Sequence, residues 1–197
     1  MYKVYGDYKS GNCYKVKLML NLLGHEFEWH PVDILKGETE TPAFLAKNPN
    51  GKVPVLELED GTCLWESNAI LMYAADKHQA AAHYPTDLQT RADIQRWLLW
   101  ESSSWFPSCY VYLVENCVKP LLGSSADPAI LEAQLQTFNK LAGILEARLA
   151  SHQWIAGTPH PTIADIAIAS PMHLHGWQQL PLANFPNIRR WMFDHIE

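Results

Sequence analysis

No pair of cysteines in this chain has a spacing that would mark a redox or metal motif. Cys13, Cys63, Cys109 and Cys117 form no Cys-x-x-Cys, and four scattered thiols are too few for a disulfide framework. Apolar runs of 18 or more are also missing, as is a basic-then-apolar leader. Met1-Tyr2-Lys3-Val4-Tyr5 reads directly as a strand, so a cytoplasmic protein with no membrane span is expected. There is no basic block. Fifteen Lys and Arg against 21 Asp and Glu leave a formal charge of −6, which argues against a nucleic-acid surface. Internal repeats and low-complexity tracts are absent. Nine histidines invite a metal reading, but His173 and His175 stand two apart and would diverge on a helix, so no metal site is expected. What the chain does have is apolar content. With 48% hydrophobic residues among 197, a substantial core fits in one large domain or two small ones.

The first eighty residues alternate strand and helix signals. Residues 2–8 read as a strand, and Lys9-Ser10-Gly11-Asn12-Cys13 as a turn into a helix. Val16, Met19, Leu20 and Leu23 recur at helical spacing, and Gly24 stands where the helix should stop. A second strand is expected over 27–32 and a short helix over 42–47. The most informative stretch is Asn50 to Asn68: a turn, a strand, an Asp60-Gly61 hairpin, a second strand, and a helix opening at Glu66-Ser67. Pro54 has no N–H and belongs at the first residue or the edge of a strand. Ser67 is a natural N-cap for the run Ile70, Leu71, Tyr73, Ala74. Free amides and a positive dipole at that helix start suit a carboxylate. A strand edge beside such a helix end suits a short, extended, acidic peptide.

Lys52-Val53-Pro54 followed by Glu66-Ser67 resembles the glutathione-binding half of the cytosolic glutathione S-transferase family, in a bacterial, serine-type or theta-like version of the active-site loop. The resemblance covers essentially the whole chain. It implies an α/β thioredoxin-like domain over residues 1–78, a linker over 79–86, and an all-helical domain over 87–197. It implies glutathione as co-substrate, with no metal. Val53 would pair through its backbone with the cysteinyl unit, Glu66 would accept from the γ-glutamyl ammonium, and Ser67 would donate to its carboxylate. Lys52 would pair with the glycyl carboxylate or stand as a solvated charge. Relatives often place a basic residue a dozen positions before Val53, where this chain has Thr39, with Lys36 nearby.

At the opening of the first helix, Ser10-Gly11-Asn12-Cys13 carries a hydroxyl where redox relatives of the fold carry a thiol. Two uses of Ser10 are open: an ordinary N-cap, or a donor that keeps a bound glutathione thiol ionised. Lowering a thiol from pKa ~8.5 to ~6.5 needs about 2.7 kcal/mol. One charge-assisted hydrogen bond at ~1.5–3 kcal/mol plus a helix-end contribution of ~0.3–1 suffices. Asn12 either contributes to the same thiolate or caps the helix. Tyr5 is a rival to Ser10, and Cys13 is either a packed side chain or a nucleophile.

Beyond the linker only helix signals remain. Thr86-Asp87-Leu88-Gln89 reads as a capping box for a helix running toward Val118 with a bend near Pro107. Asp127-Pro128 begins another, with Leu131, Leu135, Phe138, Ala142, Leu145 and Leu149 as its apolar stripe. Thr162-Ile163-Ala164-Asp165 is a second capping box, and Asp165 reads as a folding element. A last helix starts at Phe185-Pro186. The segment Trp97 to Tyr110 mixes aromatics and hydroxyls without a clean two-faced pattern, which suggests a pocket wall. By resemblance the second substrate, a small hydrophobic electrophile, would lie between it and the Ser10 loop, with Trp105 and Tyr110 facing it.

The resulting expectation is a homodimeric transferase that joins glutathione thiolate to apolar electrophiles. Two alternatives stay open: a glutathione-dependent disulfide or peroxide reductase, with Cys13 as its key residue, and a non-catalytic binding module of the same fold.

Overall fold

A computed structural model describes residues 1–196. The chain divides into two compact units, Met1–Pro85 and Thr86–Glu197. The stretch read as a linker therefore belongs mostly with the first unit, where Tyr84 is buried.

In the first unit β1 (Tyr2–Gly6), α1 (Gly11–Leu22) and β2 (Phe27–Pro31) form a parallel crossover. Two 3₁₀ turns and a short α2 (Pro42–Leu45) lead to β3 (Val55–Glu57), β4 (Cys63–Leu64) and α3 (Ser67–Lys77). The sheet order is β2-β1-β3-β4, with β3 antiparallel to both β1 and β4, which is the thioredoxin-like arrangement. Gly24 closes α1 at φ 63°, a conformation that glycine adopts without a Cβ clash.

Alternation along β1 sorts the two faces. Tyr2 meets Tyr73 at a tilt and His78 edge-on, and a Cβ on Gly6 would strike Cys13, so this face is covered by α1 and α3. Their apolar sides supply Val16, Met19, Leu20, Ile70 and Leu71, all at most 1% exposed. Lys3 and Tyr5 point the other way, and Tyr5 packs against a smaller cluster of Val32, Phe44 and Val55.

On that second face Glu57 collects three donors: Lys47, Lys3 at 3.0 Å and the Tyr5 hydroxyl at 3.0 Å. Hydrogen bonds from Lys47, then from Lys3, hold its carboxyl down to about 2. A carboxyl with a lowered folded pKa contributes stability that is complete above its unfolded value and is lost as pH falls toward the folded one. Glu57→Gln is therefore expected to flatten the pH dependence of urea unfolding between about 4.5 and 2, leaving behaviour above pH 5 less pH-sensitive than the parent's acid limb. An unchanged acid limb would contradict this role.

The second unit is helical throughout: α4 (Leu88–Trp100), α5 (Phe106–Leu113), α6 (Lys119–Leu121), α7 (Pro128–Ser151), α8 (Ile163–Ala169), α9 (His175–Gln178) and α10 (Pro186–Trp191). The first cap lies one residue later than the capping box suggests: Asp87, not Thr86, accepts from the Thr90 amide at 2.8 Å. In place of a simple bend at Pro107, α4, α5 and α6 follow one another through two π-helical turns, Glu101–Trp105 and Val114–Val118. Pro107, and likewise Pro120, cannot donate to an i−4 carbonyl, and each stands, with one residue between, beyond a turn widened to i→i+5 bonding. On α7 the stripe buries Phe138, Ala142, Leu145 and Leu149, while Leu135 is 41% exposed. The Thr162–Asp165 capping box forms as read. Among the described residues no helix is long and apolar enough to cross a membrane.

Candidate functional site

The first unit brings three candidate segments to one end of its sheet. Tyr5 lies opposite Val55 and Leu56 opposite Leu64. The turn leaving β1, the residues leading into β3, and the start of α3 after β4 therefore meet at the same end of the sheet.

Ser10 caps α1 with extended φ −82°, ψ 120°, and its Oγ accepts from the Cys13 amide at 3.4 Å. The cap uses a lone pair of the hydroxyl, whereas holding a thiolate uses its proton, so the two readings of Ser10 are compatible. The amides of Gly11 and Asn12 take part in no backbone hydrogen bond recorded among the described residues, as befits the first turn of a helix.

Asn12 is the second residue of the helix and not its cap; its Oδ1 accepts from the Ser67 hydroxyl at 3.0 Å. Cys13 is fully buried. Desolvation pushes its thiol up to about 11, against opposing hydrogen bonds from Ser10 and the Asp7 backbone, so it stays protonated at neutral pH. Tyr5 points to the opposite face of the sheet, its hydroxyl given to Glu57. Neither side chain is placed to serve a thiol at the opening of α1.

Val53-Pro54 is a cis peptide, and β3 begins one residue later at Val55. The Val53 backbone is used in no hydrogen bond recorded among the described residues and stands ahead of the ladder as a pairing edge. Asn48, 2% exposed, sets the preceding turn: its Nδ2 donates to the Lys52 carbonyl at 2.5 Å, and its Oδ1 accepts from Asn50. Lys52 itself is exposed. Of the alternatives for the glycyl end, Thr39 is buried and Lys36 is bound to Asp33 at 3.1 Å.

Ser67 does not cap α3. Glu66 occupies that position, with φ 70° and ψ 102° and no capping hydrogen bond of its own, while Ser67 is the first helical residue. The reason is lateral: the Ser67 Oγ is held by Lys15 Nζ at 3.2 Å and by Asn12, so it has turned away from its own helix. A non-glycine residue at positive φ costs of order 1–3 kcal/mol, the kind of local strain found where function demands a fixed geometry. The exposed Glu66 carboxylate and the unused amides of Ser67 and Ala69 thus sit side by side. One end attracts an ammonium and the other a carboxylate, which is the polarity of an α-amino acid head group.

In the second unit the structure corrects the expected pocket wall. Trp105 is 0% exposed; its indole N–H donates to the Ile168 carbonyl at 3.1 Å, and its ring lies against Trp100 and Phe138. It is a core residue of this unit. Tyr110 is 47% exposed, with Phe106 stacked on it. An open groove of about 580 Å³ does exist on this unit, lined by Ser103, Ser104, Pro107, Ser108, Val111 and residues of α7. Among the described residues no three His, Cys, Asp or Glu side chains gather as a metal site.

Lys15 and Asn48 support the site from outside the motifs that mark it in the sequence. A signal for Lys15 was available, because it lies four residues before Met19 on the apolar face of α1, where a charged side chain must find partners. For Asn48 the Asn-Pro-Asn-Gly turn was visible, but not which asparagine would be buried.

Comparison with known proteins agrees with the geometry. The model of the glutathione S-transferase N-terminal domain matches residues 10–77, and that of the glutathione S-transferase C-terminal domain matches residues 116–196. A probable glutathione S-transferase, GSTF2, of Oryza sativa subsp. japonica is 31% identical over 98% of this chain and 90% of its own. The crystal structure of a glutathione S-transferase from Pseudomonas fluorescens [Pf-5] is 43% identical with a TM-score of 0.87, covering 97% of this chain and 92% of that one. A glutathione S-transferase-I bound with lactoylglutathione is 25% identical with a TM-score of 0.88, covering 100% and 94%. With both family domains matched in order along one chain, and the Ser10, Val53 and Glu66-Ser67 segments gathered at one end of the sheet, this chain belongs to the glutathione S-transferase family.

Proposed function

We propose that the chain binds glutathione along the Val53 edge and transfers it, as a thiolate, to small hydrophobic electrophiles. The observation that carries this is the Glu66–Ser67 corner. A carboxylate and a set of unused helix amides there match the γ-glutamyl head group, and the Val53 backbone stands ready for the next peptide unit. The lactoylglutathione complex of the similar transferase supports a glutathione-type tripeptide as the ligand class. From that anchorage the cysteinyl sulfur would reach the first turn of α1. The Ser10 hydroxyl and the Gly11 and Asn12 amides would then favour the anion over the thiol. The sulfur attacks the electrophile, the leaving group departs, and no covalent bond to the protein forms. Catalysis is therefore positioning plus anion stabilisation. Lys52 is the cation left for the glycyl carboxylate. We place the protein in the cytoplasm as a homodimer, as its family resemblance implies, with Tyr110 the remaining candidate for contact with the second substrate.

For the reductase alternative, in which the bound thiolate does the redox work, burial of Cys13 and its raised thiol pKa weigh against that side chain as a nucleophile. Retention on immobilised glutathione, followed by turnover with an aryl halide and with a mixed disulfide, separates the readings. Retention with aryl-halide turnover is expected. Retention without either turnover would favour a binding module, and disulfide turnover alone would favour a reductase.

A further inference from the structure

Lys15 is 1% exposed, a cation on the face of α1 that also carries Val16, Met19 and Leu20. An ammonium is kept in such a place only by acceptors. Its Nζ donates to Ser67 Oγ at 3.2 Å and to Asn68 Oδ1 at 2.9 Å. The Ser67 hydroxyl in turn donates to Asn12 Oδ1 at 3.0 Å. Lysine has donors only, so the direction of the chain is fixed: Ser67 Oγ receives from the ammonium and gives its single proton onward. The network ties the first turn of α3 to α1, at the end of the sheet where both helices begin.

We propose that Lys15 is a positioning residue for the α-carboxylate of the γ-glutamyl unit, acting through Ser67; this rests on the glutathione reading above. By filling an acceptor site of Ser67 Oγ from behind, Lys15 turns the hydroxyl toward a ligand as a donor, beside the Ser67 amide. A donor bonded into an oxygen also polarises its O–H and strengthens it as a donor. When a carboxylate arrives, the proton swings from the neutral amide oxygen of Asn12 to the charged oxygen, the better acceptor. The lysine never touches the ligand.

The test pairs Lys15→Met with two ligands in titration calorimetry: glutathione, and the analogue whose γ-glutamyl α-carboxylate is replaced by hydrogen. Lys15→Met is expected to weaken glutathione about tenfold and the analogue less than about twofold, the size of one hydrogen bond to a charged group. KM for glutathione should rise in parallel while kcat at saturation moves far less. Lys15→Arg, which keeps a donor, is expected to recover most of the loss. Equal losses for the two ligands, or no loss for either, would overturn the proposal, because a merely structural lysine does not distinguish them. Should Lys15→Met fail to fold, lysine side-chain NMR on the parent decides. The Lys15 Nζ resonance should shift with glutathione and not with the analogue, and the absence of that difference overturns the proposal. A parent protein that binds neither ligand overturns the glutathione reading itself, and this proposal with it.

Discussion

Replacing Ser10 by alanine is expected to lower turnover about 10- to 100-fold near neutral pH, while glutathione affinity changes by less than about threefold. The reasoning is that the hydroxyl bonds the sulfur more strongly as thiolate than as thiol, whereas binding is anchored at Glu66, Ser67 and Val53. Its pH dependence is diagnostic. If the bound thiol returns from ~6.5 toward ~8.5 on losing the donor, the deficit should shrink as pH rises past ~8.5, where both proteins hold a thiolate. The same substitution removes the Oγ cap on the Cys13 amide, so the helix should also lose ~0.5–2 kcal/mol. Measuring unfolding beside kinetics separates the two losses. Unchanged turnover would move the role to Asn12 or to the amides of the first turn, since the Tyr5 hydroxyl is committed to Glu57.

Asp165→Ala should produce the largest loss of stability, without changing chemistry. The carboxylate is 0% exposed and accepts from four donors: the Ile155 amide at 2.9 Å, the Thr162 amide at 2.8 Å, the Thr162 hydroxyl at 3.1 Å and the Trp191 indole at 3.2 Å. Burial raises its pKa and these bonds oppose the rise. Removing the carboxylate strands several buried donors at once, so the cost should exceed that of an ordinary cap and reach about 3–5 kcal/mol. For a chain of this size that corresponds to a fall in melting temperature of roughly 10 °C. Turnover per folded molecule should stay at the parent level. A loss below ~1 kcal/mol, within the range of a simple cap, would mean that the Ile155 and Trp191 bonds add nothing.

What the sequence made legible follows the range over which each interaction is encoded. Gly24, Asp60-Gly61, Asp127-Pro128 and Thr162–Asp165 act within four residues, and each forms the turn or cap that local chemistry requires. Pro54 could be placed at the mouth of a strand because a missing N–H is a strictly local constraint. Ser67 was misplaced by one position because its partners are 52 and 55 residues away, on α1. They pull the hydroxyl out of the capping geometry that its sequence context favours. Trp105 failed similarly. A helix mixing tryptophan with serine looks like a pocket wall until the indole finds the Ile168 carbonyl, 63 residues on. The π turns at 101–105 and 114–118 reflect packing together with Pro107 and Pro120, and composition alone suggested only a bend.

All of these inferences meet in the location of one sulfur atom. A crystal structure of the protein with glutathione should find the cysteinyl sulfur within hydrogen-bond distance of Ser10 Oγ and the γ-glutamyl carboxylate against Ser67 at the start of α3. Glutathione bound with its sulfur remote from Ser10 and its head group away from Ser67 would contradict the account at its centre.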